Sequence, residues 1–183
     1  MPNQTSIGST ALLVDCSLGA TLVFGILLGR RLLGSTAIGV LTAGVVAICG
    51  ASAAMALASV LPRNEEMQKH TLLTVVVITV LSTACMIIYP PLTQVLSLDA
   101  TSAGIFLGAT IHDVAQVVGV GYMISPGAGD VATVFKLLRV AMLLPVVALV
   151  GIYFGRREGG RSPSLLATVP WFLLVFAALV IVI

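Results

Sequence analysis

Thr101–Ile124 reads TSAGIFLGATIHDVAQVVGVGYMI. A membrane-spanning helix needs about 20 mostly apolar residues, and this run is long enough. Near its middle stand Thr110, His112, Asp113 and Gln116. An Asp at mid-helix is disfavoured by roughly 2.5–3.5 kcal/mol on insertion scales. Such a residue persists where it faces protein or water and finds partners. On one continuous helix His112 and Gln116 share a face at i, i+4, while Thr110 and Asp113, and Asp113 and Gln116, meet at i, i+3. The spacing predicts a polar stripe about two turns long. It reads either as a substrate or ion site, or as a hydrogen-bond cluster that only joins helices.

Beyond this run, Ser125-Pro126-Gly127-Ala128-Gly129-Asp130 reads as a turn. The next run, Val131–Gly155, carries Lys136, Arg139 and Pro145. The short connection predicts antiparallel neighbours. At 1.5 Å per residue, Asp113 lies about 18 Å before Ser125 and Arg139 about 13 Å after Asp130. Arg139 is therefore expected to pair with Asp113 or to bind an anion beside it; an interfacial arginine is the plainer alternative. Lys136 is nearer the surface and can snorkel.

Four further apolar runs complete the chain. Ser9–Gly29 ends at Arg30-Arg31 and holds Asp15, which reads as an interfacial residue or a buried carboxylate. Ser35–Leu61 is longer than one span needs and is followed by a polar loop, Pro62–His70. Thr71–Tyr89 is rich in β-branched residues but has the length of a spanning helix, and Pro90-Pro91 is expected to stop it. Leu165–Ile183 closes the chain inside an apolar stretch, which reads as a helix ending flush with the bilayer or as a truncated span.

Composition agrees with lipid as the solvent. Hydrophobic types make up 58% of the 183 residues and charged types 9%, against roughly 25% charged in soluble domains. A net charge of +2 is too small for a nucleic-acid footprint. Cys16, Cys49 and Cys85 all lie in apolar runs with no metal spacing. Neither a metal nor a cofactor is expected. Met1–Ser9 has no basic residue, so the first run is expected to be retained and not cleaved as a signal.

The basic residues orient the chain. With four crossings between Arg30-Arg31 and the loop of Arg156, Arg157 and Arg161, those five of the nine basic residues share one face. Arg63 and Lys69, offset by Glu65 and Glu66, then lie opposite. Positive-inside places the arginine loops in the cytoplasm of a bacterial inner-membrane protein. Two crossings with two re-entrant pairs satisfy the arginine count equally.

The second run holds Ile48-Cys49-Gly50-Ala51-Ser52-Ala53-Ala54 at mid-length. Small residues there allow either a helix break or close helix packing. If the helix breaks, a new one starts near Ala51-Ser52, and its free N–H groups suit an anion. An intramembrane hydrolase built on Ser52, His112 and Asp113 is a remote alternative. Neighbours on a helix point about 100° apart, so Asp113 would orient His112 poorly, and no nucleophile elbow surrounds Ser52.

Ile48–Ala53, Gly108–Val118, Lys136-Leu137-Leu138-Arg139-Val140 and Pro170-Trp171-Phe172 together resemble the YeiH family (UPF0324), whose members carry the label of sulfate exporters. Order and spacing agree over nearly the whole chain. The resemblance implies an all-α, polytopic fold of about six transmembrane helices, two of them broken or re-entrant. It further implies an inverted-repeat architecture related to cation/proton antiporters, with a single transmembrane domain over 1–183 as the central part of a longer transporter. It puts Cys49, Gly50, Ala51 and Ser52 at a helix break, and Thr110, His112, Asp113, Gln116, Lys136 and Arg139 at or beside the site. The implied partners are the lipid bilayer, a small anion such as sulfate and a coupling proton or sodium ion, with homo-oligomerisation open. Family members usually carry Glu at the position of Asp113 and are nearly twice as long. A non-transporting fragment or assembly subunit is the alternative.

Overall fold

The computed structural model describes residues 4–157. The last apolar run Leu165–Ile183, Arg161 and the Pro170-Trp171-Phe172 motif lie outside the described residues, as do the side chains of Asp15, Arg156 and Arg157. The described residues form eight helices: α1 Gln4–Leu32, α2 Thr36–Ala47, α3 Ala51–Val60, α4 Glu65–Val95, α5 Ala100–Thr110, α6 Val114–Ile124, α7 Pro126–Ala141 and α8 Leu143–Arg157.

Two rods organise the rest. α4 has 31 residues, and α7 with α8 forms a second rod, Pro126–Gly155, of 30 residues; both are long and apolar enough to cross a bilayer. α4 exposes Leu72, Leu73, Val76, Val77, Val80 and Ile87, each at least 60% accessible. A face of that kind is at home in lipid and not in water. The second rod bends at Met142 because Pro145 has no N–H and its ring crowds the carbonyl of Ala141. α4, in contrast, runs through Pro90-Pro91 and ends at Val95, so the predicted stop is corrected. Within this stretch Thr93 Oγ1 donates to the Pro90 carbonyl at 2.8 Å. The expected polar loop is also shorter than Pro62–His70. Asn64 caps α4 by accepting from Met67 N at 2.7 Å, so Glu65–His70 are helical.

The second and fourth apolar runs are not continuous helices. Each folds back as a hairpin of two half-helices. In α2–α3, Gly44 faces Leu57, which only a sharp reversal around Ile48-Cys49-Gly50 permits. In α5–α6, the start of α5 (Ala100) returns beside Gly127, next to the end of α6. α5 lies parallel to α7, with Gly104 on Ala128 and Gly108 on Ala132; α6 lies antiparallel to it, with Gly121 on Gly129. The half-helices have 10–12 residues, or about 15–18 Å, half the thickness of a hydrocarbon core. The predicted turn Ser125–Asp130 reduces to Ser125 alone, which ends α6 and caps α7 by accepting from Ala128 N at 3.1 Å.

The hairpins enter from opposite ends of the bundle. α2 packs antiparallel on α1 through the Gly25–Ala43 and Gly29–Gly39 approaches. The first half of α4 and α8 flank the α2–α3 hairpin, around a core that includes Leu41, Ile48, Leu57, Leu143 and Val147. The second half of α4 and α7 flank α5–α6, with Tyr89 tilted against Phe106 at 4.9 Å and Leu107, Ile111, Val117 and Ala132 beside them.

Candidate functional site

The two hairpin tips, Ile48-Cys49-Gly50 and Ile111-His112-Asp113, meet midway along the rods. A Cβ added at Gly50 would stand 3.5 Å from His112 Cβ and 3.7 Å from Ile78 of α4. Gly50 has φ +66°, a conformation that favours glycine, and this is what lets the chain reverse.

Four helix ends converge here, two negative and two positive. The last carbonyls of α2 and α5 have no partners within their own helices. Lys136 and Arg139 of α7 supply them. Lys136 Nζ donates to the carbonyls of Ile48 at 3.3 Å and Ile111 at 2.7 Å. The Arg139 guanidinium donates to the carbonyls of Ala47 and Ala109. Each cation therefore bridges both hairpins, at the dipole ends where positive charge is favoured. The i, i+3 spacing that puts them on one face of α7 is what allows it.

Three expectations are corrected. Lys136 does not snorkel: it is 0% exposed, and Arg139 is 8% exposed. Arg139 spends its terminal nitrogens on backbone carbonyls and not on Asp113, and its Nε has no hydrogen-bond partner. The depth estimate failed because it assumed a continuous fourth helix. The i, i+3/i+4 stripe is corrected for the same reason, since Ile111–Asp113 are extended.

The positive ends are dressed differently. Asp113 is the N-cap of α6, accepting from Gln116 N at 3.1 Å. The N-cap of α3 is Gly50, which has no side chain to offer. Cys49 Sγ stands near it, 2.9 Å from Ser52 Oγ, which also lies 3.3 Å from the Cys49 carbonyl. Ala51 and Ser52 form the first turn of α3. Ser52 is thus bonded to Cys49 and not to His112, unlike the nucleophile of a triad. His112 is half-buried, contacts the Val46 backbone, and leaves Nδ1 buried without a partner. Thr110 points away from the tips, donating to the Phe106 carbonyl at 2.5 Å. Asp113 is near enough to act on the Lys136 charge. Two cations and one carboxylate leave the junction with a formal charge of +1. Among the described residues no group of three His, Cys, Asp or Glu side chains could hold a metal ion.

One polar residue at the tip escaped the sequence reading. Ser82 of α4 is 1% exposed, donates to Gln116 Oε1 at 2.5 Å and accepts from Asp113 N at 3.3 Å. Its signal was present as a Ser-Thr pair in the middle of the third apolar run.

The described chain is thus an all-helical membrane protein in which two half-depth hairpins meet tip to tip between crossing rods. It belongs to the UPF0324 membrane protein family. The model of that family described as "Conserved hypothetical protein 698" matches residues 3–183. The chain is 48% identical over 178 residues to a UPF0324 membrane protein of Rhizobium meliloti, covering 94% of this chain and 50% of that protein. It is 45% identical to the UPF0324 membrane protein TauZ of Paracoccus denitrificans, covering 91% and 51%. A UPF0324 membrane protein of Bacillus cereus is 38% identical over 144 residues, covering 78% of this chain and 42% of its own length. The chain spans about half the length of the curated relatives it matches. No solved structure matches this one.

Proposed function

We propose that this chain carries the binding site of a secondary transporter for a small anion, such as sulfate or an organic sulfonate, coupled to a proton. The observation that carries the reading is the junction of hairpin tips. It joins a formal charge of +1, the N-terminus of α3, where the cap residue Gly50 has no side chain, and an imidazole nitrogen left without a partner. N–H groups at a helix start and a positive field suit an anion. Lys136 and Arg139 contribute chiefly their charge, because most of their donors already serve carbonyls. His112 and Asp113 are the groups at the tips able to exchange a proton. Protonating Asp113 would raise the junction charge, so proton and anion should favour each other's binding. The positive-inside rule supports a cytoplasmic location for the end with Arg30 and Arg31.

The test is thermal unfolding of the detergent-solubilised protein with sulfate, sulfite and an alkyl sulfonate at pH 5 to 8, followed by flux in proteoliposomes. A ligand at 100 times its Kd stabilises by about 2.7 kcal/mol. Stabilisation that grows towards low pH, with flux that follows the pH gradient, is expected. No stabilisation by any of the three anions, and no flux, would overturn the reading.

A further inference from the structure

We infer that Ser82 of α4 is the positioning residue of this site: its hydroxyl fixes Gln116 and the Asp113 backbone, and through them the carboxylate at the tip of α5–α6. The inference rests on the anion-site reading only for its second arm. Ser82 is the deepest polar residue of α4, at 1% exposure. Its hydroxyl has two partners at once. It donates to Gln116 Oε1 at 2.5 Å and accepts from Asp113 N at 3.3 Å. With Oε1 taken, Gln116 Nε2 is directed to Thr83 Oγ1 at 3.3 Å, and Thr83 in turn donates to the Thr79 carbonyl at 2.9 Å. Gln116 N donates to Asp113 Oδ1 at 3.1 Å. The bonds form one directed chain from the α4 backbone through Thr83, Gln116 and Ser82 to Asp113. Both ends of the Gln116 amide are engaged, which favours this orientation of the side chain.

The other tip has no such tie. Near Gly50 the closest α4 side chain is the apolar Ile78, at the spacing of ordinary van der Waals contact. The α5–α6 tip is thereby a fixed part of α4. The α2–α3 tip is held to it by Lys136 and Arg139 and by packing.

Two measurements test this on the full chain. The first needs no ligand. With glutamine side chains labelled by 15N, Gln116 is identified among Gln4, Gln68, Gln94 and Gln116 by its loss in Gln116→Glu. The Gln116 amide protons are expected to be split widely and to exchange slowly in wild type, to collapse towards free-amide values in Ser82→Ala, and to recover in Ser82→Thr. An unchanged Gln116 signal in Ser82→Ala overturns the inference. The second is the pH dependence of sulfate binding. Ser82→Ala should weaken sulfate about tenfold and displace the pH midpoint, with Thr restoring both. A wild-type Kd and midpoint in Ser82→Ala would also overturn it. If wild type binds no anion, the transport reading fails, and the amide signal still decides the role of Ser82.

Discussion

Replacing Lys136 by Met removes the bridge between the tips and keeps the side-chain length. The ammonium is 0% exposed and serves two carbonyls, at Ile48 and Ile111. Each carbonyl left buried and unpaired costs about 1–3 kcal/mol, so the pair is worth about 2–6 kcal/mol. The dipole ends of α2 and α5 add a few tenths to about 2 kcal/mol each. Against this, the variant no longer desolvates an ammonium, a burden of several kcal/mol. No bulk water reaches mid-membrane carbonyls to replace the lost bonds. We expect a net loss of about 2–4 kcal/mol, within the range for breaking a buried polar network. The assay is reversible unfolding in mixed micelles followed by far-UV circular dichroism, with a double-mutant cycle against Arg139→Met. Both residues tie the same two tips, so their losses should be non-additive by about 1 kcal/mol or more. Wild-type stability in Lys136→Met, together with strict additivity, would refute the bridging argument.

Four other outcomes follow from the packing and the helix ends. An added Cβ at Gly108 would stand 2.6 Å from the Ala132 carbonyl and 3.1 Å from Phe135 Cβ, so Gly108→Ala should destabilise by about 1–3 kcal/mol in the same assay. Gly119 has nothing within 4 Å, and Gly119→Ala should stabilise by about 0.5–1 kcal/mol. Hydrogen bonds from the Ser102 side chain and from the backbone of Ser102 and Thr101 hold Asp99 below the usual carboxylate range. A depressed pKa stabilises above the unfolded value and is lost as pH falls through the folded one. The stability gap between wild type and Asp99→Ala should therefore be constant at neutral pH and close in acid. Single cysteines at Gly34 and Asn64 in a background lacking Cys16, Cys49 and Cys85 should react with an impermeant maleimide from the same side, and one at Ser97 from the other.

The apolar runs within the described residues were legible because the chain has so few charges, although α4 extends beyond the third run at both ends. The reversal at Gly50 was half legible. Small residues at Cys49–Ala54 signal a break or close packing alike, and only the fold-back of Leu57 onto Gly44 decides between them. The break at Ile111–Asp113 was hidden from pattern reading. The residues Thr110, His112, Asp113 and Gln116 fit helical spacing well, whereas Asp113 in fact starts a new helix as its cap. An Asp followed three residues later by Gln is a capping signature that the apolar length of the run concealed. Pro90-Pro91 misled in the other direction, because α4 continues through both prolines to Val95. The partners of Lys136 and Arg139 could not be read at all, since they are backbone atoms exposed only once both runs break.

The fold and the candidate site draw on the same residues, and this decides which substitution is informative. Non-helical backbone is tolerated at membrane depth only where protein or a water-lined cavity satisfies it. Lys136 and Arg139 do this for the C-terminal ends of α2 and α5, and Asp113 does it for the start of α6. Loss of function on replacing any of these three would not separate binding from folding. His112 is different. Its Nδ1 is buried and bonded to nothing, and its remaining contact is with the Val46 backbone. His112→Gln keeps a donor for that contact and removes the imidazole nitrogen. The variant should unfold within about 0.5–1 kcal/mol of wild type, since no network hydrogen bond is lost. Sulfate affinity should nevertheless fall about tenfold, or 1.4 kcal/mol, and its pH dependence should flatten. Undiminished affinity in a folded His112→Gln protein would remove the imidazole from the site and leave the junction with a purely structural role.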